Sequence, residues 1–309
     1  MLIFCRRIVV KKPEMLRKEG PLLLAANHPN SFLDSVIINA LFKRPVWSLA
    51  RGDAFRRPLA NRLLRALHIL PVYRVSEGVE NLSGNYETFH SCMEIFRENG
   101  IVSIYSEGKC INEWHLRPLK KGTARLASLA WQEKVPLTVL PVSINYSSFR
   151  RFGKNVFIQF GNPIEAKMFS HHHPDGQRHL GFNQILRREL EAGVFEISKQ
   201  DLVTQKKLLQ LKPALAKKIL LFLPALAGWL IHAPLYLPVR GLARKKYGHS
   251  DHFDSVLVSL LLITYPVYLL MITSLIFLIT KNGWAWSLLL VLPFTAWAYT
   301  QLKSQLDRV

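Results

Sequence analysis

Two long stretches of this chain carry no charged residue: Ser255–Thr280, 26 residues, and Trp284–Leu302, 19 residues. A membrane-spanning helix needs roughly 20 apolar residues, because each adds ~1.5 Å against a hydrocarbon core about 30 Å thick. Only Lys281-Asn282-Gly283 separates the two runs, so they predict a transmembrane hairpin, 255–280 and 284–302, whose outer ends face the same side. The basic cluster Arg240, Arg244, Lys245 and Lys246, with Lys303 and Arg308, places that side in the cytoplasm. Trp284, Trp286 and Trp297 suit anchoring at the interfaces. Residues 219–239 are also uncharged, but Pro224, Gly228, Pro234 and Pro238 interrupt them and cations flank both ends. That segment reads as re-entrant or interfacial, with a proline-kinked span as the alternative.

The chain as a whole has 309 residues, 41 Lys+Arg, 21 Asp+Glu and a formal charge of +20. Residues 213–309 contribute +6 of that charge, leaving +14 on the first 212 residues. A basic chain meets either nucleic acid or an anionic membrane, and a 49% hydrophobic content favours the membrane. Cys5, Cys92 and Cys110 are odd in number and widely spaced, so they form no disulfide framework and no Cys-x-x-Cys metal site. The consecutive His171, His172 and His173 point in different directions on any regular backbone, and no metal is expected. Residues 1–20 hold only a short apolar stretch broken by Arg6, Arg7, Lys11 and Lys12 and read as an interfacial lead-in. The chain thus divides into that lead-in, a domain over 21–210 and a membrane region over 211–309.

Within 21–210, apolar β-type runs alternate with amphipathic helical runs, the pattern of an α/β domain. The strands predicted are Leu22–Ala26, Val46–Ala50, Ile69–Tyr73, Ile101–Tyr105, Thr138–Ile144 and Val156–Phe160. The helices predicted are Ser31–Phe42, Pro58–His68, Leu82–Asn99 capped by Asn81 and stopped by Gly100, Gly122–Glu133, and Asn183–Leu208. Ser170–His179 reads as an exposed turn. The helix around Arg56, Arg57, Arg62 and Arg65 interleaves cations with Leu59, Leu63, Leu64 and Leu67, as a membrane-surface helix does. A packed helix with a solvated arginine face is the other reading.

Asn27-His28-Pro29-Asn30-Ser31-Phe32-Leu33-Asp34 sits where the first predicted strand passes into a helix, and strand ends of open α/β sheets are where ligands collect. A neutral histidine there can take a proton from an alcohol, and a carboxylate on its other ring nitrogen fixes the tautomer. On one continuous helix six residues at about 100° each leave His28 and Asp34 about 120° apart, so His28 must lie in the loop before the helix, which Pro29 and Ser31 permit. The bland alternative is a capping box between Ser31 and Asp34.

Three further segments accompany this one in order. Ile69-Leu70-Pro71-Val72-Tyr73-Arg74 ends a strand in a cation. Tyr105-Ser106-Glu107-Gly108-Lys109 ends another, with Leu119-Lys120-Lys121-Gly122-Thr123-Ala124-Arg125 following at a helix start. Val135-Pro136-Leu137-Thr138-Val139-Leu140-Pro141-Val142 closes the set. Taken together, residues 20–165 resemble the glycerolipid acyltransferase superfamily, which contains glycerol-3-phosphate and lysophosphatidate acyltransferases. The resemblance implies a mixed sheet flanked by helices, an acyltransferase catalytic domain over 21–210, and a C-terminal α-helical membrane region. It implies that His28 is the general base and Asp34 its partner, that Arg74, Glu107, Gly108 and Lys109 build the acceptor phosphate site, and that Pro141 shapes the acyl or cofactor channel. Two departures stand out: five residues rather than four separate His28 from Asp34, and Ser106 and Lys109 replace the usual Pro and Thr. Lys120 and Arg125 are then candidates for phosphate charge.

The expected reaction is transfer of a fatty acyl group from acyl-CoA or acyl carrier protein, as co-substrate, to a hydroxyl of glycerol-3-phosphate or its 1-acyl derivative at a lipid bilayer. It needs no metal, cofactor, nucleic acid or enzyme nucleophile, because a thioester is already activated. A serine hydrolase using Ser31 or Ser106 is the rival enzyme, though no Gly-x-Ser-x-Gly elbow is present. A membrane-tethered binder of anionic lipid or nucleic acid is the non-enzymic rival.

Overall fold

The computed structural model describes residues 4–73, 84–169 and 175–307. Seven strands form one mixed sheet in the order β1-β7-β6-β2-β5-β3-β4. In chain order they are β1 (Cys5–Lys11), β2 (Leu22–Ala26), β3 (Val46–Arg51), β4 (Ile69–Val72), β5 (Ile101–Tyr105), β6 (Thr138–Tyr146) and β7 (Lys154–Phe160). β2, β3, β4, β5 and β6 run parallel, while β7 turns back antiparallel on β6 and carries β1 parallel to itself. The carboxyl ends of the five parallel strands therefore share one edge of the sheet.

β2 is central, and all five of its residues are buried. Its period-2 alternation sends Leu22, Leu24 and Ala26 to one face and Leu23 and Ala25 to the other. The first face is covered by α1 (Phe32–Leu41) through Leu33, Ile37 and Ile38, and by Val258. The second is covered by α3 (Gly84–Arg97), α4 (Gly122–Gln132) and α5 (Asp175–Glu191), with Met93, Leu126 and Leu186 among the packed side chains. Each fully buried leucine contributes about 1.5–3 kcal/mol relative to exposure.

The remaining helices are α2 (Pro58–Ala66), α6 (Leu202–Leu209), α7 (Leu215–Tyr247), α8 (Phe253–Thr280) and α9 (Leu288–Leu302). Several expectations are corrected. Residues 5–11 are not an interfacial lead-in but an edge strand; the β-branched run Ile8-Val9-Val10 pairs with β7, and its flanking cations protect the edge. The single helix expected over Asn183–Leu208 is two, α5 and α6, broken around Gly193, where any Cβ would collide with Ser143 Oγ at 2.5 Å. Of the expected turn Ser170–His179, residues 170–174, including the histidine run, lie outside the described residues, and α5 begins at Asp175. The Asn81 cap also lies outside them.

In the C-terminal region, residues 219–239 belong to one 33-residue helix, α7, that contains Pro224, Pro234 and Pro238. Gly228 lets α7 cross α9 closely, since a Cβ there would lie 2.1 Å from the Thr295 carbonyl oxygen. α7 is linked to the sheet domain through α9 near its start and by Tyr236 further along. Near its start, Lys217 donates to Gln301 at 2.7 Å, and Gln301 donates to the Arg6 carbonyl at 3.3 Å. Towards its end, Tyr236 packs on Phe152 of the sheet domain, and Ala243 packs on Phe253 at the start of α8. α7 and α8 are long and apolar enough to cross a membrane. The run 284–302 is shorter as a helix than its uncharged length suggests: a 3-10 turn takes Gly283–Ser287, and α9 has 15 residues, ~22 Å at 1.5 Å per residue.

Candidate functional site

β2 delivers Asn27 and His28 just beyond its carboxyl end, β5 delivers Tyr105 to Glu107, and β6 delivers Tyr146. Asn27 pins the loop to the sheet: its Nδ2 donates to the Ile144 carbonyl at 3.0 Å, and its Oδ1 accepts from the Ile144 amide at 2.7 Å. His28 then lies outside helix α1, and Asp34 sits in its first turn, fully buried.

The histidine Nδ1 is 2.8 Å from Asp34 Oδ2. That same oxygen accepts the Asn30 amide at 2.9 Å, and Oδ1 accepts the Tyr146 hydroxyl at 2.6 Å. No side-chain cap forms at Ser31, so the capping-box alternative gives way to a carboxylate committed to His28. Face to face with the imidazole lies Tyr105, centroids 3.9 Å apart, whose hydroxyl is 2.8 Å from Ser35 Oγ. Burial and the Asp34 charge together hold the Tyr105 and Tyr146 phenols well above their ordinary pKa, so both stay protonated and Tyr146 remains a donor. Among the described residues no hydrogen bond is made to His28 Nε2, and no serine Oγ bonds to His28. The rival triad is thus not assembled: Ser31 Oγ pairs with His252 at 2.8 Å, and Ser106 Oγ accepts from Thr123 at 3.0 Å.

His28 opens into a cavity of about 1600 Å³. Its lining includes Lys109, Lys120, Lys121 and Arg125 with Asp53, Glu133 and Asp251, and also Gly108, at φ +69°, with Lys120 Cγ only 3.0 Å from where a Cβ would be. The glycine is required there for its left-handed backbone and its missing side chain. Apolar members of the lining are Leu49, Ile69, Phe89, Met93 and Ile104. Lys109, Lys120 and Arg125 thus line the same cavity as His28, while Arg74 lies outside the described residues.

Two expected site residues stand elsewhere. Glu107 does not face the cavity as a phosphate ligand; its Oε2 accepts the His28 amide and its Oε1 the Arg117 amide, each at 2.9 Å. Burial raises its pKa, and the two backbone hydrogen bonds oppose that rise. Its role is to hold the His28 backbone, which suits a carboxylate better than meeting another anion. Pro141 does not shape a channel here: it lies buried within β6 beside Ala25 of β2. Its carbonyl accepts the Gly161 amide at 2.9 Å, at the point where the β6–β7 ladder ends and a missing amide donor costs nothing.

The reading from sequence missed Tyr146, Tyr105 and Asn30. Tyr146 is 112 residues from Asp34, and its only sequence signal is a polar side chain at the end of an apolar strand.

A family model described as Acyltransferase matches residues 7–145. Glycerol-3-phosphate O-acyltransferase 1 of Saccharomyces cerevisiae is 29% identical over 96 residues, which is 29% of this chain and 12% of the yeast protein. The match thus spans about an eighth of that relative's length. The solved 1-acyl-sn-glycerophosphate (LPA) acyltransferase, PlsC, of Thermotoga maritima is similar over 64% of this chain and 75% of its own, at 18% sequence identity and a TM-score of 0.45.

Proposed function

We propose that this chain, whose residues 7–145 match a family model described as Acyltransferase, transfers a fatty acyl group from a thioester to a hydroxyl of glycerol-3-phosphate or 1-acylglycerol-3-phosphate at a membrane. The observation that carries this reading is the His28–Asp34 pair, with His28 lining a cavity that also holds cationic and apolar side chains.

Asp34 keeps the proton on Nδ1 and so presents Nε2 as the base. Nε2 takes the acceptor's hydroxyl proton as that oxygen attacks the thioester carbonyl. The carbon–sulfur bond then breaks, and the proton passes from His28 to the departing thiolate. Lys109, Lys120 and Arg125 hold the acceptor phosphate through charge-assisted hydrogen bonds, and the apolar wall takes the acyl chain. Tyr105 and Tyr146 touch no reacting atom; they fix the imidazole plane and the carboxylate. Either acyl-CoA or acyl carrier protein can serve as donor in this scheme.

Membrane attachment is part of the proposal. Leu262, Ile263, Leu270 and Leu278 of α8 are exposed, as are Trp284 and Trp286 at the hairpin tip, a distribution that suits lipid and its interface. α7, proline-rich and packed on Phe152 of the sheet domain through Tyr236, fits the re-entrant or interfacial reading, and α8 with α9 fits a hairpin entering from the cytoplasmic side. Arg62 and Arg65 of α2 are exposed, a placement that suits anionic headgroups.

The test is a mass-spectrometric product assay on purified membranes, comparing wild type with His28→Ala. Each acceptor is supplied in turn with long-chain acyl-CoA and with acyl carrier protein. Product from wild type, falling at least about 10²-fold in the variant, is the expected result and names both substrates. Free fatty acid as the sole product points to hydrolysis, and lipid binding indifferent to His28→Ala points to a non-enzymic role.

A further inference from the structure

The loop that carries His28 is strained. Ser31 adopts φ +52° and ψ −134°, a conformation that belongs to glycine and persists in other residues only where surrounding contacts enforce it. Several of those contacts come from more than 220 residues away. Asn30 Nδ2 donates to Asp254 Oδ2 at 2.8 Å; Ser255 Oγ donates to the Asn30 carbonyl at 3.0 Å and accepts the Leu33 amide at 3.3 Å. His252 Nδ1 meets Ser31 Oγ at 2.8 Å, and Asn112 bridges Asp251 to the Pro29 carbonyl. From the sheet side the Cys110 sulfur accepts the Ser31 amide at 3.0 Å, and the Ile111 amide donates to the His28 carbonyl at 3.2 Å.

Asp254 is itself fixed by an ion pair with Lys154, both side chains almost completely buried. A continuous path therefore runs from Lys154 through Asp254 and the Asn30 side chain to the Asn30 amide, Asp34 Oδ2 and His28 Nδ1. We infer that the amino-terminal turn of α8 is a clamp on the Asn30–Ser31 corner, and that Asp254 is a positioning residue which sets the His28–Asp34 geometry by accepting the Asn30 side chain. The helix that leaves the domain for the membrane thereby completes the site. Its geometry is coupled to how α8 is seated.

The inference rests on the acyl-transfer reading for its activity arm, so the experiment carries a second readout. Two full-length double variants both remove the ion pair without leaving a buried charge unpaired. Lys154→Met with Asp254→Asn keeps a carbonyl acceptor for Asn30, and Lys154→Met with Asp254→Leu removes it. The expected result is that the Asn variant retains most of the wild-type kcat while the Leu variant loses about tenfold or more, with KM for both substrates nearly unchanged. Hydrogen exchange over Asn27–Asp34 should accelerate only in the Leu variant. Adding Ser31→Gly to the Leu variant should restore much of the lost kcat, because glycine adopts the corner without help.

Equal kcat and equal exchange in the two doubles overturns the clamp, and so does failure of Ser31→Gly to rescue. If the doubles do not fold, Ser255→Ala, which deletes one hydroxyl, must by itself raise exchange in the loop; unchanged exchange there also overturns it. Absence of acyl transfer in wild type defeats the functional reading instead, and the exchange comparison still decides the clamp.

Discussion

The sheet domain and the C-terminal helices dispose of their apolar side chains in opposite ways. β2 and β6 are buried along their whole length by protein, whereas the large exposed apolar side chains are concentrated between Leu215 and Phe294. The first arrangement is a core closed against water. The second lacks any protein cover among the described residues, and the solvent that suits it is lipid. Buried polar groups also differ: around His28, Asn27, Asn30, Asp34 and Glu107 are hydrogen-bonded into one network at the strand ends, while those of the helices include Thr273, Thr295 and Thr300.

The sharpest way to break this contrast is to place one charge in each region. Leu140→Asp, in β6, should prevent recovery of folded protein, since an unpaired buried carboxylate is intolerable there. Leu270→Asp, half-exposed on α8, should leave the sheet domain folded, as read by limited proteolysis, but weaken retention in carbonate-washed membranes by the equivalent of about 2.5–3.5 kcal/mol. Unchanged retention would place that face of α8 in water. Next in size, Tyr146→Phe leaves Asp34 Oδ1 buried without its donor; kcat should fall about tenfold and unfolding free energy by about 1–3 kcal/mol, measured by product assay and denaturant titration.

Gly228→Leu sharpens the contrast from the other side. It forces α7 away from α9 and should cost about 1–3 kcal/mol of stability, while kcat of the protein that remains folded stays close to wild type. The smallest effect concerns Glu107. Its folded pKa is raised above the usual 4.5 by burial, so the native state holds its proton more tightly than the unfolded chain does. The stability this provides is full below about pH 4.5 and is lost as pH rises through the higher folded value. The difference in unfolding midpoint between wild type and Glu107→Gln should therefore drift with pH across that window, and a difference that stays flat would mean that Glu107 carries no such shift.

Much of the domain is legible in the sequence because its signals are local. Leu22–Ala26 and Ile101–Tyr105 are continuous apolar runs of strand length, and the structure has strands with those same bounds. The family resemblance, drawn from four short segments in order, is matched by the family model over residues 7–145. His28 and Asp34 were legible as a pair because six residues across a strand-to-helix turn bring them together. The edge strand β1 was not, since Cys5–Lys11 alternates cations with aliphatics much as an interfacial segment does, and only pairing with β7 distinguishes the two. Glu107 and Pro141 were placed in the site by their segments, yet a segment's position does not say which way a side chain turns.

The sequence by itself determined the alternation of strands and helices, the uncharged C-terminal runs, and the residue types at the end of β2, because each depends on neighbours within about a dozen positions. Only the tertiary structure decided that Tyr146 completes the Asp34 carboxylate, that Glu107 holds a backbone rather than a ligand, and that Asp254 and Ser255 grip the loop beside His28. Those contacts join residues more than a hundred, or more than two hundred, positions apart except at Glu107. They form only once the sheet has set its strand order and α8 has packed on α1, and no local periodicity encodes that event.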